Sequence, residues 1–136
     1  MFQNPPDSVI RKILAQPRRI AVVGCSPHAS RDSHRIAQLL MDKGHTVVPV
    51  NPNAAEILGQ RCYASLRDIP GPIDMVDIFR RSDQVGPVVD DAVTIGASIV
   101  WMQLGVIDQA AATRAQTAGL TVVMDRCPAI EYRELF

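Results

Sequence analysis

Two short apolar runs, separated by a stretch of helical length, constrain this chain more than any other feature. Arg18-Arg19-Ile20-Ala21-Val22-Val23 ends in Gly24-Cys25-Ser26, and Val47-Val48-Pro49-Val50 ends in Asn51-Pro52. The first run has the unbroken, branched character of a strand covered on both faces. It leads into a small-residue turn and then a helical pattern, the layout that cradles phosphates in nucleotide-binding folds. A dinucleotide fingerprint would add an Asp or Glu at the end of the next strand, roughly 20 residues past its glycines, to hold the ribose hydroxyls. Asn51-Pro52 stands in that place, and the turn carries one glycine where the fingerprint has three. The layout points to a nucleotide, and the details point away from a dinucleotide.

The rest of the chain repeats the alternation. A leading helix is expected over residues 7–15, between Pro5-Pro6 and Pro17. Strands are expected at 19–24, 46–50, 75–79, 98–102 and 120–124. Helices are expected at 33–43, with Ser33 as its cap, at 83–95, with Ser82 as its cap, and at 108–118 from Asp108. A helical turn at 54–58, an extended piece at 61–63 and a closing turn at 130–135 complete the reading. Alternating strands and helices imply an α/β Rossmann-like three-layer sandwich with a five-stranded parallel sheet, order 3-2-1-4-5. Residues 1–136 form a single domain in this reading, with 1–17 as a leading helical segment.

Composition excludes several classes. Lys+Arg and Asp+Glu are both 14, so no global field draws the chain to nucleic acid or an anionic membrane surface. No run approaches the ~18 apolar residues of a membrane span, and the N-terminus lacks a signal-peptide core. Three cysteines, Cys25, Cys62 and Cys127, without CxxC spacing suit a reduced cytoplasmic protein rather than a disulfide scaffold or zinc site.

In such a sheet the ligand crevice lies at the carboxyl ends of the strands, at the switch point in strand order. Four loops meet there. In the first, Gly24 permits a tight turn, Ser26 offers a hydroxyl, Arg31 suits a phosphate and Ser33 opens the helix. In the second, Asn51-Pro52 either flanks the ligand or ends the strand as an Asx-turn. In the third, Phe79 can wall an adenine while Arg80 or Arg81 meets a phosphate. In the fourth, Gln103 faces an amide or a ribose. Of the histidines, His28 and His34 flank the first loop, and His45 reads as structural.

Six motifs in order carry a family resemblance. They are Ala-Val-Val-Gly-Cys-Ser at 21–26, Val-Pro-Val-Asn-Pro at 48–52, and Gly-Gln-Arg-Cys-Tyr-Ala-Ser-Leu at 59–66. Val-Asp-Ile-Phe-Arg-Arg-Ser at 76–82, Val-Trp-Met-Gln-Leu-Gly-Val at 100–106 and Val-Met-Asp-Arg-Cys-Pro at 123–128 follow. The chain resembles the stand-alone CoA-binding proteins. Their domain also occurs in the alpha subunit of succinyl-CoA synthetases and in ADP-forming acyl-CoA synthetases. The resemblance implies coenzyme A across the strand ends, with its diphosphate at Gly24, Cys25 and Ser26 beside Arg31 and Ser33. It also implies Asn51, Pro52, Phe79 and Arg80 around the nucleotide and Gln103 on the pantetheine side. The synthetases carry a catalytic phosphohistidine in a separate domain that the residues here do not match. The expected function is therefore non-catalytic binding of coenzyme A or an acyl-CoA, as carrier, sensor or regulator, with no metal. The alternatives are an NAD(P)-dependent oxidoreductase or a subunit of a CoA-using transferase or ligase.

Overall fold

The computed structural model describes residues 2–136. In chain order the elements are α1 (Asp7–Ala15), β1 (Arg19–Val23), α2 (Asp32–Asp42), β2 (Thr46–Val50), β3 (Glu56–Ile57) and β4 (Gln60–Arg61). They continue with β5 (Met75–Ile78), α3 (Val85–Thr94), β6 (Ile99–Met102), α4 (Gln109–Thr117), β7 (Thr121–Val123) and α5 (Pro128–Leu135). Five of the strands make one parallel sheet in the order β2-β1-β5-β6-β7.

Period-two alternation divides the core between the two faces of this sheet. Ala21, Val23, Val76, Ile78, Val100 and Met102 face α3 and α4, where Val85, Val89, Ala111 and Ala115 are buried against them. Ile20, Val22, Met75, Ile99 and Trp101 face the other way, onto Ile10, Ile13, Ile36, Leu40 and Tyr132 of α1, α2 and α5. The central strands are apolar on both sides because helices cover both sides. The α/β, Rossmann-like reading is correct.

The strand numbering needs a correction. Met75–Ile78, expected third and therefore outside β2, lies beside β1. The third position belongs to Tyr63, which makes a single parallel bridge with Val50. Its N–H donates to the Pro49 carbonyl at 3.1 Å, and its carbonyl accepts from the Asn51 N–H at 2.9 Å. Pro49 faces this edge without an N–H, so no longer ladder can grow there. With Tyr63 counted, the 3-2-1-4-5 progression is present and β7 extends it by one strand. The switch point falls between β1 and β5.

Other departures are local. The helical turn expected at 54–58 is the antiparallel hairpin β3–β4, with Glu56 opposite Arg61 and Ile57 opposite Gln60. Leu58 and Gly59 take φ of 54° and 73°, as a two-residue hairpin turn with two left-handed positions requires. Nothing in the sequence advertises a left-handed leucine, which is why the apolar spacing misled. The closing turn is a full helix, α5, opened by Pro128 in its first turn. Asp108 caps α4 as expected, accepting from the Ala111 N–H at 3.0 Å.

The leading segment is tied down as well. The Asn4 amide donates to the Met124 carbonyl at 2.9 Å and accepts from the Met124 N–H at 2.7 Å. His45 is buried as a structural residue. The Arg18 N–H donates to its Nδ1 at 3.1 Å, so the neutral ring carries its proton on Nε2, 2.7 Å from the Tyr132 hydroxyl. That hydroxyl donates in turn to the Leu14 carbonyl at 2.9 Å. Burial, then Arg18, push the His45 pKa down. Among the described residues no helix is long and apolar enough to cross a membrane.

Candidate nucleotide-binding cleft

The four strand-end loops converge as the sequence requires. They border a cleft of about 1410 Å³, lined among others by Gly24, Ser26, Arg31, Ser33, Asn51, Phe79, Arg80 and Gln103. Drug-sized ligands occupy sites of roughly 300–1,000 Å³. This one has room for a nucleotide with a long arm.

Backbone geometry at the end of β1 brings the first and third loops together. Gly24 adopts φ +83°, and its N–H donates to the Val50 carbonyl at 2.9 Å. A side chain at this position would run into the carbonyl of Phe79. The loop beyond it is pinned by Ser33, whose Oγ accepts from the Ser26 N–H at 2.9 Å. This corrects the expectation that Ser33 caps α2. The cap position is Arg31, no side chain bonds there, and buried Ser33 lies inside the first turn. The Ser26 hydroxyl accepts from the His28 N–H at 3.1 Å, and the Ser26 carbonyl lies 2.9 Å from His34 Nδ1. His34 thus braces the loop from behind with one ring nitrogen.

Asn51 ties the second loop to the first. Its Nδ2 donates to the Cys25 carbonyl at 2.9 Å, while its Oδ1 accepts from the Asn53 N–H at 2.8 Å. The second of these is the Asx-turn, and together they occupy both ends of the amide. Pro52 is exposed and Cys25 is fully buried, and neither lines the cleft. The Cys25 thiol packs in the core, where burial, Cys62 and Asp77 push its pKa up to about 12. Only its backbone is left to face a ligand.

The arginines separate into paired and unpaired. Arg81 is held by Asp83 at 3.0 Å and Arg35 by Asp32. Arg31 and Arg80 both line the cleft, and neither side chain has a hydrogen-bond or ion-pair partner among the described residues. The local residues alone left Arg80 and Arg81 level and the family resemblance pointed to Arg80; Arg81 is the one engaged by Asp83. Ser82 does not cap α3. Its Oγ accepts from the Ile107 N–H at 2.9 Å, joining the third loop to the fourth.

At the far end, Gln103 is only 8% exposed and its Oε1 has no partner. Leu104 beside it is 56% exposed and lines both this cleft and a smaller adjoining one. Cys127, half-buried at the start of α5, also borders both. Asn53 is a cleft residue that the sequence reading missed, and Leu104 lies in a loop it named without being singled out. The signal for Leu104 was a large apolar residue directly after a strand's last polar position. No group of three or more His, Cys, Asp or Glu among the described residues is placed to hold a metal.

Comparison with known proteins agrees with this geometry. The chain is 40% identical over 126 residues to the uncharacterized protein YneT of Bacillus subtilis (strain 168), covering 93% of each. It superposes on the structure of a hypothetical protein from Pyrococcus horikoshii OT3 with TM-score 0.91 at 37% identity, over 99% of both chains. It also matches the apo form of the dinucleotide forming acetyl-coenzyme A synthetase 1 of Ca. Korarchaeum cryptofilum with TM-score 0.71 at 29% identity. That match covers 85% of this chain and 28% of the synthetase, so the likeness is to one part of a larger protein. A family model described as CoA binding domain matches residues 18–133, and this chain belongs to that family.

Proposed function

We propose that the cleft binds coenzyme A or an acyl-CoA without transforming it, and that the protein acts as a carrier, sensor or regulator. The observation that carries this reading is the pair Arg31 and Arg80. Both face one cleft at the switch point, and both side chains are free of partners among the described residues. Guanidinium groups left unpaired at a site with a pinned backbone turn suit phosphates, which they bind in charge-assisted hydrogen bonds. Arg31 beside the first loop serves the diphosphate, and Arg80 with Phe79 serves the adenosine end. The pantetheine arm then runs past Gln103 toward Leu104 and Cys127.

The same geometry speaks against NAD. The ribose acid after strand two is absent, and the Asn51 amide is spent on Cys25 and Asn53. A self-sufficient enzyme would need an activated nucleophile or an acid/base pair within reach of substrate. The acid that lines the cleft, Asp32, is paired with Arg35, and Asp77 is fully buried in β5.

Thermal denaturation with CoA, NAD, NADP and ATP tests the reading, because a ligand that binds only the native state raises stability. CoA is expected to give the largest shift. A larger shift with NAD overturns the reading.

A further inference from the structure

Among the described residues, the buried side-chain atoms left without a hydrogen-bond partner are Asp77 Oδ1, Asp77 Oδ2 and Gln103 Oε1. Orphaned buried polar atoms are costly and rare, so three that belong to two residues call for one explanation. The sheet register supplies it. Asp77 on β5 stands opposite Trp101 on β6. Gln103 lies two residues beyond Trp101, and its N–H continues the ladder to the Ile78 carbonyl at 3.2 Å. By alternation Asp77, Trp101 and Gln103 share one face, with Asp77 and Gln103 as diagonal neighbours on adjacent strands. Long side chains span such a diagonal.

We infer that Asp77 is a neutral acid whose proton bridges to the Gln103 Oε1, and that this bond turns the Gln103 amide N–H₂ toward the cleft. Asp77 is then a positioning residue, and Gln103 is a donor for a carbonyl of the bound ligand. The inference rests on the proposed CoA reading, since the pantetheine arm carries two amide carbonyls. The shared proton gives Gln103 Oε1 a donor and uses the Asp77 hydroxyl oxygen as that donor; the acid's carbonyl oxygen, uncharged once the proton is bound, is the one atom of the three left without a partner. As an ionised carboxylate, Asp77 would face Gln103 Oε1 as two acceptors with nothing between them.

The surroundings support a neutral acid. Asp77 is 0% exposed in the centre of the sheet, and burial alone pushes its pKa up to about 8. Its neighbours in register are Val22 on β1 and Trp101 on β6. From α2 the buried residues are Ser33, Ile36, Ala37 and Leu40, and from α5 they are Pro128, Glu131 and Tyr132. Glu131 is engaged by Arg126 at 3.5 Å, and Tyr132 by His45 and Leu14. The titratable neighbour is Cys25, on which both Asp77 and Cys62 act. Among the described residues no cation pairs with Asp77, and burial is the cause acting on it.

The test has a ligand-free arm and a binding arm. In the apo protein, NMR of labelled Asp carboxyls and Gln side-chain amides is followed from pH 5 to 10. One carboxyl should titrate near pH 8 and vanish in Asp77→Asn. The Gln103 amide signals should move with the same midpoint and become flat in that variant. In the binding arm, CoA affinity is measured across the same range. Asp77→Asn keeps a donor for Gln103 Oε1, so it should bind within about twofold of wild type at pH 7. The wild type should then lose at least fivefold relative to Asp77→Asn by pH 9.5; taking this ratio cancels the titration of CoA itself. Asp77→Val, which cannot hold the amide, should bind about tenfold more weakly at pH 7. Gln103 signals indifferent to the Asp77 titration, or identical pH profiles for wild type and Asp77→Asn, overturn the inference. Coupled titration in a protein that binds no CoA at any pH would uphold the pair and sink the CoA reading instead.

Discussion

Gly24 and Phe79 are in such close apposition that a β-carbon on the glycine would overlap the phenylalanine's carbonyl oxygen. This contact is where the end of β1 meets the end of β5, at the switch point that forms the cleft. Two costs therefore fall on any side chain at 24: the left-handed φ of +83°, and a clash with backbone that cannot rotate away. Gly24→Ala should destabilise the fold by at least about 2 kcal/mol. Gly44→Ala shares the positive φ but meets nothing within 4 Å, and should cost only about 1 kcal/mol. Urea denaturation of the two variants compares them directly, and equal losses would show that the Phe79 contact carries no energy.

Arg31 stands free at the first loop, and its removal should weaken CoA binding by about 1.5–3 kcal/mol, the worth of a charge-assisted hydrogen bond. Dephospho-CoA retains the diphosphate and lacks the 3′-phosphate. If Arg31 serves the diphosphate, Arg31→Ala should lose the same for both ligands in calorimetric titration. A loss confined to CoA would reassign Arg31 to the 3′-phosphate.

Which parts of this arrangement were legible depended on the physics involved. The four loops and their convergence followed from strand and helix periodicity, which is a property of whole segments. Local spacing could not separate Arg80 from Arg81, and only the motif resemblance favoured Arg80, because the Asp83 that engages Arg81 is a loop contact with no periodic signature. Ser33 carries the right side chain for a cap and uses it on the Ser26 N–H, because a one-residue shift in the start of α2 buried it. Tyr63 lies in the extended piece expected at 61–63, but its place at the third sheet position rests on a single bridge that no periodicity could show. Gln103 and Asp77 lie 26 positions apart. Only the β5–β6 register makes them neighbours.

His45 sets a pH dependence whose sign is fixed by burial, with Arg18 adding to it. Its folded pKa is lowered from 6.5, so the native state binds fewer protons than the unfolded chain. Its contribution is complete above pH 6.5 and is lost as pH falls through the folded value, by at most about 1.4 kcal/mol per pH unit. Asp77, raised from 3.8 to about 8, works in the opposite sense: its contribution is complete below its unfolded value and is lost as pH rises. The two overlap below pH 6.5, so the His45 effect should be read in the Asp77→Asn background. There, stability should rise between pH 5 and 6.5, and His45→Asn should flatten that rise. A slope unchanged by His45→Asn would mean that the ring is not held neutral.

Three thiols with three environments make a chemical map of the cleft. Cys25 is fully buried with its pKa pushed up to about 12, and Cys62 is 8% exposed with its pKa raised by burial. Both are shielded and poor thiolates, so both should resist alkylation in the native protein. Cys127 borders the cleft, half-buried, where the proposed path of the pantetheine arm ends. Iodoacetamide at neutral pH should label one site, Cys127, and CoA should slow that labelling by occupying the cleft. Incubation with CoA disulfide extends the test. If the Cys127 thiolate reaches a bound disulfide, it displaces one CoA thiolate and keeps the other as a mixed disulfide. Intact mass would then show one CoA adduct that Cys127→Ser lacks and that dithiothreitol removes. Labelling spread over Cys25 and Cys62 would contradict the burial on which the map rests. Labelling confined to Cys127 but indifferent to CoA would move the pantetheine arm away from this end of the cleft.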